Sequence, residues 1–560
     1  MAARALIAVG RESGAWAGLR VVAMSLLDRR IQGLEWAERR AGNPSADATT
    51  RLALAQAALA VGSVATSDRI ARTLDGAVAH RPDVLALRAG VALRSGRYRE
   101  AGALARRARD LGAWPGELAS IERRAASELR VIEPGWRPTI PGGRQVVDRV
   151  PGRILHLVTN SLPHRQAGYT VRSQSIGRAQ RDVGLDPHFA TQAGFPRNEG
   201  IRGAPAQDMV EGVPYHRLAP DFERAIGPDA TLEQTAREAR GLVSDLQPAA
   251  LHAASHFHNA QVALALRERF GLPVVYEVRG FLEETWASRQ GMDAARQAED
   301  ADRYRGAKAA ETACMLAADA VVTLSETMRS DIVARGLEAD RVVVVPNAVD
   351  VDRFTPRPRD AGLAGRLGLP DGVPVLGYVS SFTGYEGIRH LIDAAAILRD
   401  RGRAHRVLLV GDGEERDALE HQARRLGLLG DGTVLFTGRV SHEDVLGHYS
   451  LIDVFVVPRT ADRVSQLVTP LKPYEAMALE KALVVSGVHA LREIVTDGET
   501  GLVFVPEAAE SLADTVEPLL DDPDRRRHLG RQAREWVTAN RTWRQNGLRY
   551  LELYRRLGVA

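Results

Sequence analysis

The chain has 560 residues, 45% hydrophobic and 26% charged, a globular composition that excludes a disordered or fibrous protein. Lysine plus arginine exceeds aspartate plus glutamate by only three, and the arginine runs are interleaved with acids, which argues against a nucleic-acid binder. At about 150 residues per domain the length predicts three or four domains.

Residues 1–27 are weakly amphipathic, with Arg4, Arg11 and Arg20, but lack the apolar core and cleavage site of a signal peptide. No apolar run reaches the roughly 18 residues of a membrane span, so peripheral surface contact stays open and spanning does not. Residues 1–130 read as an all-helical segment broken at Gly42-Asn43-Pro44, Gly62 and Arg81-Pro82. Ala55 and Gly62 recur as Ala89 and Gly96, a shift of 34 residues, which is the tetratricopeptide period. Two imperfect copies are too few for a free-standing solenoid, so this segment is expected to pack on its neighbour, as a docking module or a helical spacer. A linker follows over 131–152, dense in Pro and Gly from Glu133-Pro134-Gly135 to Pro151-Gly152.

From residue 153 short apolar strands alternate with helices, the pattern of parallel βαβ units. Strands are expected at 154–159, 249–253, 274–278, 320–324 and 341–345. An irregular hinge, 347–372, carries Pro356, Pro358 and Pro370. The alternation then restarts at 375–379, 406–410, 434–437, 453–457, 483–486 and 501–504. The fold class is therefore α/β, with two Rossmann-like doubly wound domains (153–346 and 373–540) after an all-α segment, and a C-terminal helix over 541–560. Ligands of such sheets sit at the carboxyl ends of strands. Cys314, the single cysteine, excludes an internal disulfide and reads as a buried small hydrophobe in a reducing, cytoplasmic setting.

Three segments carry chemistry. A first strand runs into a polar loop and Gly168 then opens a helix, whose bare amides favour a phosphate, although any βα turn carries glycine. Val410-Gly411-Asp412-Gly413 is a tight turn between strand and helix, but Arg416 breaks G-x-G-x-x-G, which disfavours a nicotinamide oxidoreductase. In Thr469-Pro470-Leu471-Lys472-Pro473-Tyr474-Glu475 a loop enters a helix: its amides and Lys472 suit a diphosphate, and Glu475 can accept a ribose diol. The plain alternative is a capped helix with surface Lys and Glu. His252 and His256, four apart, lack H-E-x-x-H and a third ligand, so His252 reads as a pocket-lining side chain and no metal is expected. Asp300-Ala-Asp302 and Asp350-Val-Asp352 need no metal either.

Over residues 153–551 the chain resembles glycosyltransferase family 4, of GT-B fold. The marks are Gly168-Tyr169, Tyr276-Glu277-Val278-Arg279-Gly280-Phe281, Val345-Pro346-Asn347, Val410–Gly413, Phe436–Val440, Pro470–Ala478 and Asp497–Val503. The resemblance implies a retaining, metal-independent transferase that takes its nucleotide sugar as co-substrate, with no other cofactor. It places the donor on Gly168, Ser381, Gly411, Gly413, Arg439, Val440, Thr469, Leu471, Lys472 and Glu475, and the acceptor, a lipid-linked glycan, polysaccharide or other hydroxyl, in the first domain. The donor phosphate would assist acceptor deprotonation in place of a protein base, which leaves the protein to position and to stabilise leaving charge.

Three departures stand out. The family's E-x7-E pattern finds Leu467 at its first Glu, beside Gln466; Ser381 and Glu386 fall where the diphosphate cations belong; and Arg279 takes the position of an active-site His. Arg279 and Lys472 are the candidate substitute cations, and Arg279 and His252 the candidate catalytic residues. Rival readings are a nucleotide-sugar epimerase or sugar phosphorylase, and a catalytically inactive scaffold. A protein partner at the helical segment and peripheral contact with the inner membrane face are further expectations; nucleic acid is not. Specificity is assigned to loops such as 281–305.

Overall fold

The computed structural model describes residues 15–25, 30–223, 227–289, 298–441 and 443–560. Arg4, Arg11 and the middle of the 281–305 loop lie outside the described residues. The chain divides into two compact units, one helical, the other holding both parallel sheets.

The helical unit contains residues 1–136 together with 224–231 and 290–310. Its helices Ala48–Ala60 and Val64–Arg72 are repeated 34 residues later by Pro82–Arg94 and Tyr98–Asp110. Small residues on the inner faces, Ala55 and Ala58 in the first copy and Ala89, Ala101 and Ala105 in the second, are buried. Arg130 pairs with Asp229 at 2.9 Å, and Asp302 accepts the amide of Arg99 at 2.9 Å and pairs with its guanidinium, so both distant segments are fastened to the helices. Asp302 is therefore occupied within this unit.

In the other unit, eight strands form the first sheet: β1 (Val150–Val158), β2 (Asp186–Thr191), β3 (Gln207–Val210), β4 (Val213–Arg217), β5 (Pro248–Ala254), β6 (Val274–Val278), β7 (Ala320–Thr323) and β8 (Val342–Val344). Their order is β3-β4-β2-β1-β5-β6-β7-β8, all parallel but for the β3–β4 hairpin. That hairpin turns through Glu211 and Gly212, both at positive φ, as a two-residue turn of this hand requires. β1 begins inside the expected 131–152 linker. Pro151 is tolerated there because parallel pairing to β5 is interrupted between Val150 and Ile154.

Six strands form the second sheet: β9 (Val375–Ser381), β10 (Arg406–Asp412), β11 (Val434–Gly438), β12 (Val454–Val457), β13 (Ala482–Ser486) and β14 (Leu502–Phe504), in the order β11-β10-β9-β12-β13-β14. β5, β12 and β13 are buried along their whole length, the signature of a parallel sheet covered on both faces. The order reverses between β1 and β5 in one sheet and between β9 and β12 in the other, so each sheet opens a crevice at the carboxyl ends of those strands.

The last helix, Trp543–Arg556, leaves the second sheet and returns to the first, where Tyr550, Leu553 and Tyr554 join the core of Ile154, Ile176 and Val275. Gly547 allows this approach: a Cβ there would meet Ala179 O at 2.4 Å. The outgoing crossover is hydrogen-bonded to the returning one, with Val349 N–H donating to Arg541 O at 3.0 Å. Cys314 is buried in the helix Asp302–Ala317, as expected of a small hydrophobe, and burial pushes its thiol pKa up.

Candidate active site

The carboxyl ends of β1, β5 and β6 bring Tyr169, Ser255 and Arg279 together. Arg279 donates through Nη1 to Ser173 Oγ (2.7 Å) and Tyr169 O (3.1 Å), and its amide donates to Ser255 Oγ at 2.8 Å. Beneath it lies Glu277, wholly buried. Its Oε1 accepts from Arg279 Nε and Arg172 Nε, each at 2.9 Å, and its Oε2 from Tyr550 Oη at 2.9 Å. Burial alone would raise the Glu277 pKa, but Arg279, Arg172 and His252 outweigh it and hold it well below the usual carboxylate range.

His252 is the first correction. It is fully buried on β5, with Nε2 3.0 Å from Glu277 Oε2 and Nδ1 2.6 Å from Tyr554 Oη. Burial lowers its pKa, so it is a neutral ring receiving Tyr554 O–H and donating to Glu277. It lines no pocket. His256 follows the strand as the N-cap of Phe257–Phe270, so the two histidines share no helix face. Among the described residues no three His, Cys, Asp or Glu side chains gather into a metal-binding group. Asp350 caps its own turn through the amides of Asp352 and Arg353.

From the second sheet, the loop before Lys472–Ala478 reaches the first. A Cβ on Gly168 would lie 3.6 Å from Leu471 Cδ1, and one on Gly280 3.4 Å from Val468 Cγ2. Asn347 locks this approach: its Nδ2 donates to Thr469 O at 2.7 Å while its Oδ1 accepts from Arg172 at 3.0 Å. Glu475 is largely buried, and its Oε2 accepts from Tyr449 Oη (2.8 Å) and Lys472 Nζ (2.9 Å). Among the described residues its Oε1 has no partner. Lys472 is thus paired with Glu475 and does not stand as a free point charge.

Gly411 and Gly413 are glycines for a packing reason. A Cβ at 411 would meet Ser380 O at 1.8 Å, and one at 413 would meet Phe382 O at 2.4 Å, because the carboxyl ends of β9 and β10 and the residues that follow them run in contact. Gly411 also has φ +142°. Ser381 ends β9 exposed; Arg439 is exposed after β11, and Val440 packs on the core of the second sheet.

Glu386, one of the two positions expected to carry a cation, is explained by a residue that sequence reasoning missed. Glu386 is buried in a pair with Arg459, which follows β12: Arg459 Nη2 lies 2.7 Å from Glu386 Oε1 and Nε 3.1 Å from Oε2, while Nη1 donates to Val468 O at 2.8 Å. Burial alone would lower the Arg459 pKa, but Glu386 reverses this and raises it. Its place at the carboxyl end of a strand beside the switch point was the available signal. Gln466, beside the missing first Glu, instead accepts the His489 amide at 2.8 Å.

Comparison with known proteins agrees with this geometry. Residues 167–348 match the family described as Glycosyl transferase 4-like domain, and residues 363–536 match Glycosyl transferases group 1. An alpha-D-kanosaminyltransferase of Streptomyces kanamyceticus is 31% identical over 257 residues, which span 45% of this chain and 64% of that relative, just under two thirds of its length. A D-inositol 3-phosphate glycosyltransferase of Nocardia farcinica is 29% identical over 412 residues, 70% of this chain and 87% of that one. Among solved structures, sucrose-phosphate synthase from Thermosynechococcus elongatus superposes with a TM-score of 0.61 at 23% identity, covering 72% of this chain and 99% of that one. Anabaena HepE in complex with UDP-glucose gives 0.55 at 18% identity, over 72% and 99%. The fold is GT-B: two Rossmann-like domains, here with an all-helical addition.

Proposed function

We propose that this protein is a glycosyltransferase that moves a sugar from a nucleotide-sugar donor to a hydroxyl of a lipid-linked glycan, polysaccharide or similar acceptor, with retention and without a metal. The observation that carries the reading is Glu475, with Oε2 held by Tyr449 and Lys472 and Oε1 left without a partner among the described residues, in the first turn of a helix whose preceding Leu471 approaches Gly168. In this assignment Glu475 holds the ribose, the Thr469, Leu471 and Lys472 amides and the Lys472 side chain take the diphosphate, and Gly411, Gly413, Arg439 and Val440 border the base beside Ser381. The relatives bear the names of glycosyltransferases, and a structural neighbour holds UDP-glucose, which supports such a donor. Arg279 is the first-domain cation that faces the leaving phosphate, and His252 acts through Glu277 as a positioning residue. The protein's contribution is then orientation and stabilisation of leaving charge.

The helical segment is proposed as tetratricopeptide-like and partner-binding, and the enzyme as cytoplasmic with peripheral membrane contact. No helix among the described residues is long and apolar enough to cross a membrane. One observation favours a second reading, an inactive scaffold: Glu386, where a cation is expected, is consumed in its pair with Arg459. Thermal-shift screening of UDP-, ADP- and GDP-sugars separates the two. A saturating donor at 100 times its Kd stabilises by about 2.7 kcal/mol, and a scaffold without a donor site shows no shift with any.

A further inference from the structure

A cavity of about 480 Å³ opens beside the two interdomain crossovers, walled by Pro346, Thr469, Tyr474, Arg541, Arg549 and Arg556. Arg549 and Arg556 stand two turns apart on the returning helix, so they share a face. Among the described residues none of the three arginines has an ion-pair partner. Arg541 donates to Asn540 O at 3.0 Å and lies over Trp536 at 4.9 Å, while Arg549 reaches only Asn546 Oδ1 at 3.4 Å. The acids nearby are engaged or peripheral. Glu493 accepts the Glu326 and Thr327 amides at 2.9 and 2.7 Å, Glu326 faces Arg329 at 3.6 Å, and Asp340 is exposed. Thr469 is 3% exposed and its Oγ1 has no hydrogen-bond partner, nor has the buried Nε of Arg541. Burial, and then the like charge of Arg541, lowers the Arg549 pKa, as expected of a guanidinium lacking an anion.

We propose that this cavity is a binding site for a phosphate dianion, free or carried as a monoester on a small molecule, which shares only Thr469 with the residues assigned to the donor. Several guanidinium forks and an unsatisfied hydroxyl are the donors such an anion requires. The site joins Pro346 on the outgoing crossover to Arg541 on the returning one, so its occupant would tie the two connections between the sheets.

The test is the thermal-unfolding response of the full chain to inorganic phosphate against chloride at matched ionic strength. The wild type is expected to be stabilised, with apparent affinity about tenfold weaker in Arg549→Gln and in Arg556→Gln. Arg556 is exposed at the helix end, so its variant decides the matter should Arg549→Gln fold poorly. Glu475→Ala is expected to keep the response. A parallel titration with glucose 6-phosphate assigns the occupant: tighter binding supports an ester, equal binding free phosphate. No response in the wild type, an undiminished response in the arginine variants, or its loss in Glu475→Ala each overturn the proposal.

Discussion

Glu386 and Arg459, 73 positions apart, form a buried bidentate ion pair whose third arm reaches Val468 O, in the loop that leads to Glu475. Tyr378 donates its hydroxyl to the same carboxylate. Removing one partner strands the other charge. Glu386→Gln should therefore cost about 3–5 kcal/mol, whereas the double replacement Glu386→Leu with Arg459→Met should cost much less. Denaturant unfolding of the two singles and the double measures the coupling.

Glu277 links Arg279 at the surface of the site to the last helix. Tyr550→Phe deletes the 2.9 Å bond to Oε2 without changing shape, and should lower stability by about 1–3 kcal/mol while leaving donor affinity near wild type. Arg279→Ala should lower sugar transfer by at least about tenfold, and stability falls as well because one of the two cations on the buried Glu277 Oε1 is lost. Paired unfolding and kinetic measurements read the contrast.

Glu311 supplies a pH prediction. It is wholly buried, accepts Tyr276 O–H at 2.6 Å, and burial, with Glu283 nearby, pushes its pKa up to about 8. The folded protein holds this proton where the unfolded chain has released it, so stability falls as pH rises from about 4.5 to 8. Glu311→Gln keeps an acceptor for Tyr276 and removes the penalty. Its stabilisation should grow through that interval, reaching up to roughly 3 kcal/mol at pH 7, and unfolding measured from pH 5 to 8 should show the two curves converging at the acid end.

Gly411→Ala should disrupt the turn outright. Its methyl would overlap Ser380 O, and Ala tolerates φ +142° poorly, so a loss of several kcal/mol, about 3 or more, is expected together with loss of nucleotide-sugar binding.

Legibility followed the locality of the signal. β6 was read to the residue and β5, β9 and β13 nearly so, because parallel strands buried on both faces are continuous apolar runs. β2, β3 and β4 were missed: Asp186-Pro187-His188 and Gln207-Asp208 interrupt the apolar pattern with polar side chains, and β3 is an edge strand, where burial demands less. The glycine turn and the Glu475 helix were visible as strings of adjacent residues. Arg459, Tyr449 and the Tyr550–Glu277 bond were not, since their partners lie 73, 26 and 273 positions away. His252 misled because a polar ring in a strand looks like a site when its two buried partners, Glu277 and Tyr554, are unseen.

Sugar transfer by this protein should depend on Glu475. Its most direct measurement is the release of nucleoside diphosphate from UDP-, ADP- and GDP-sugars by purified protein, with formation of a glycosidic product, compared between wild type and Glu475→Ala. Turnover is expected with at least one donor, falling by about tenfold or more in the variant. Equal turnover by both proteins, or none by the wild type with every donor and acceptor tried, contradicts it.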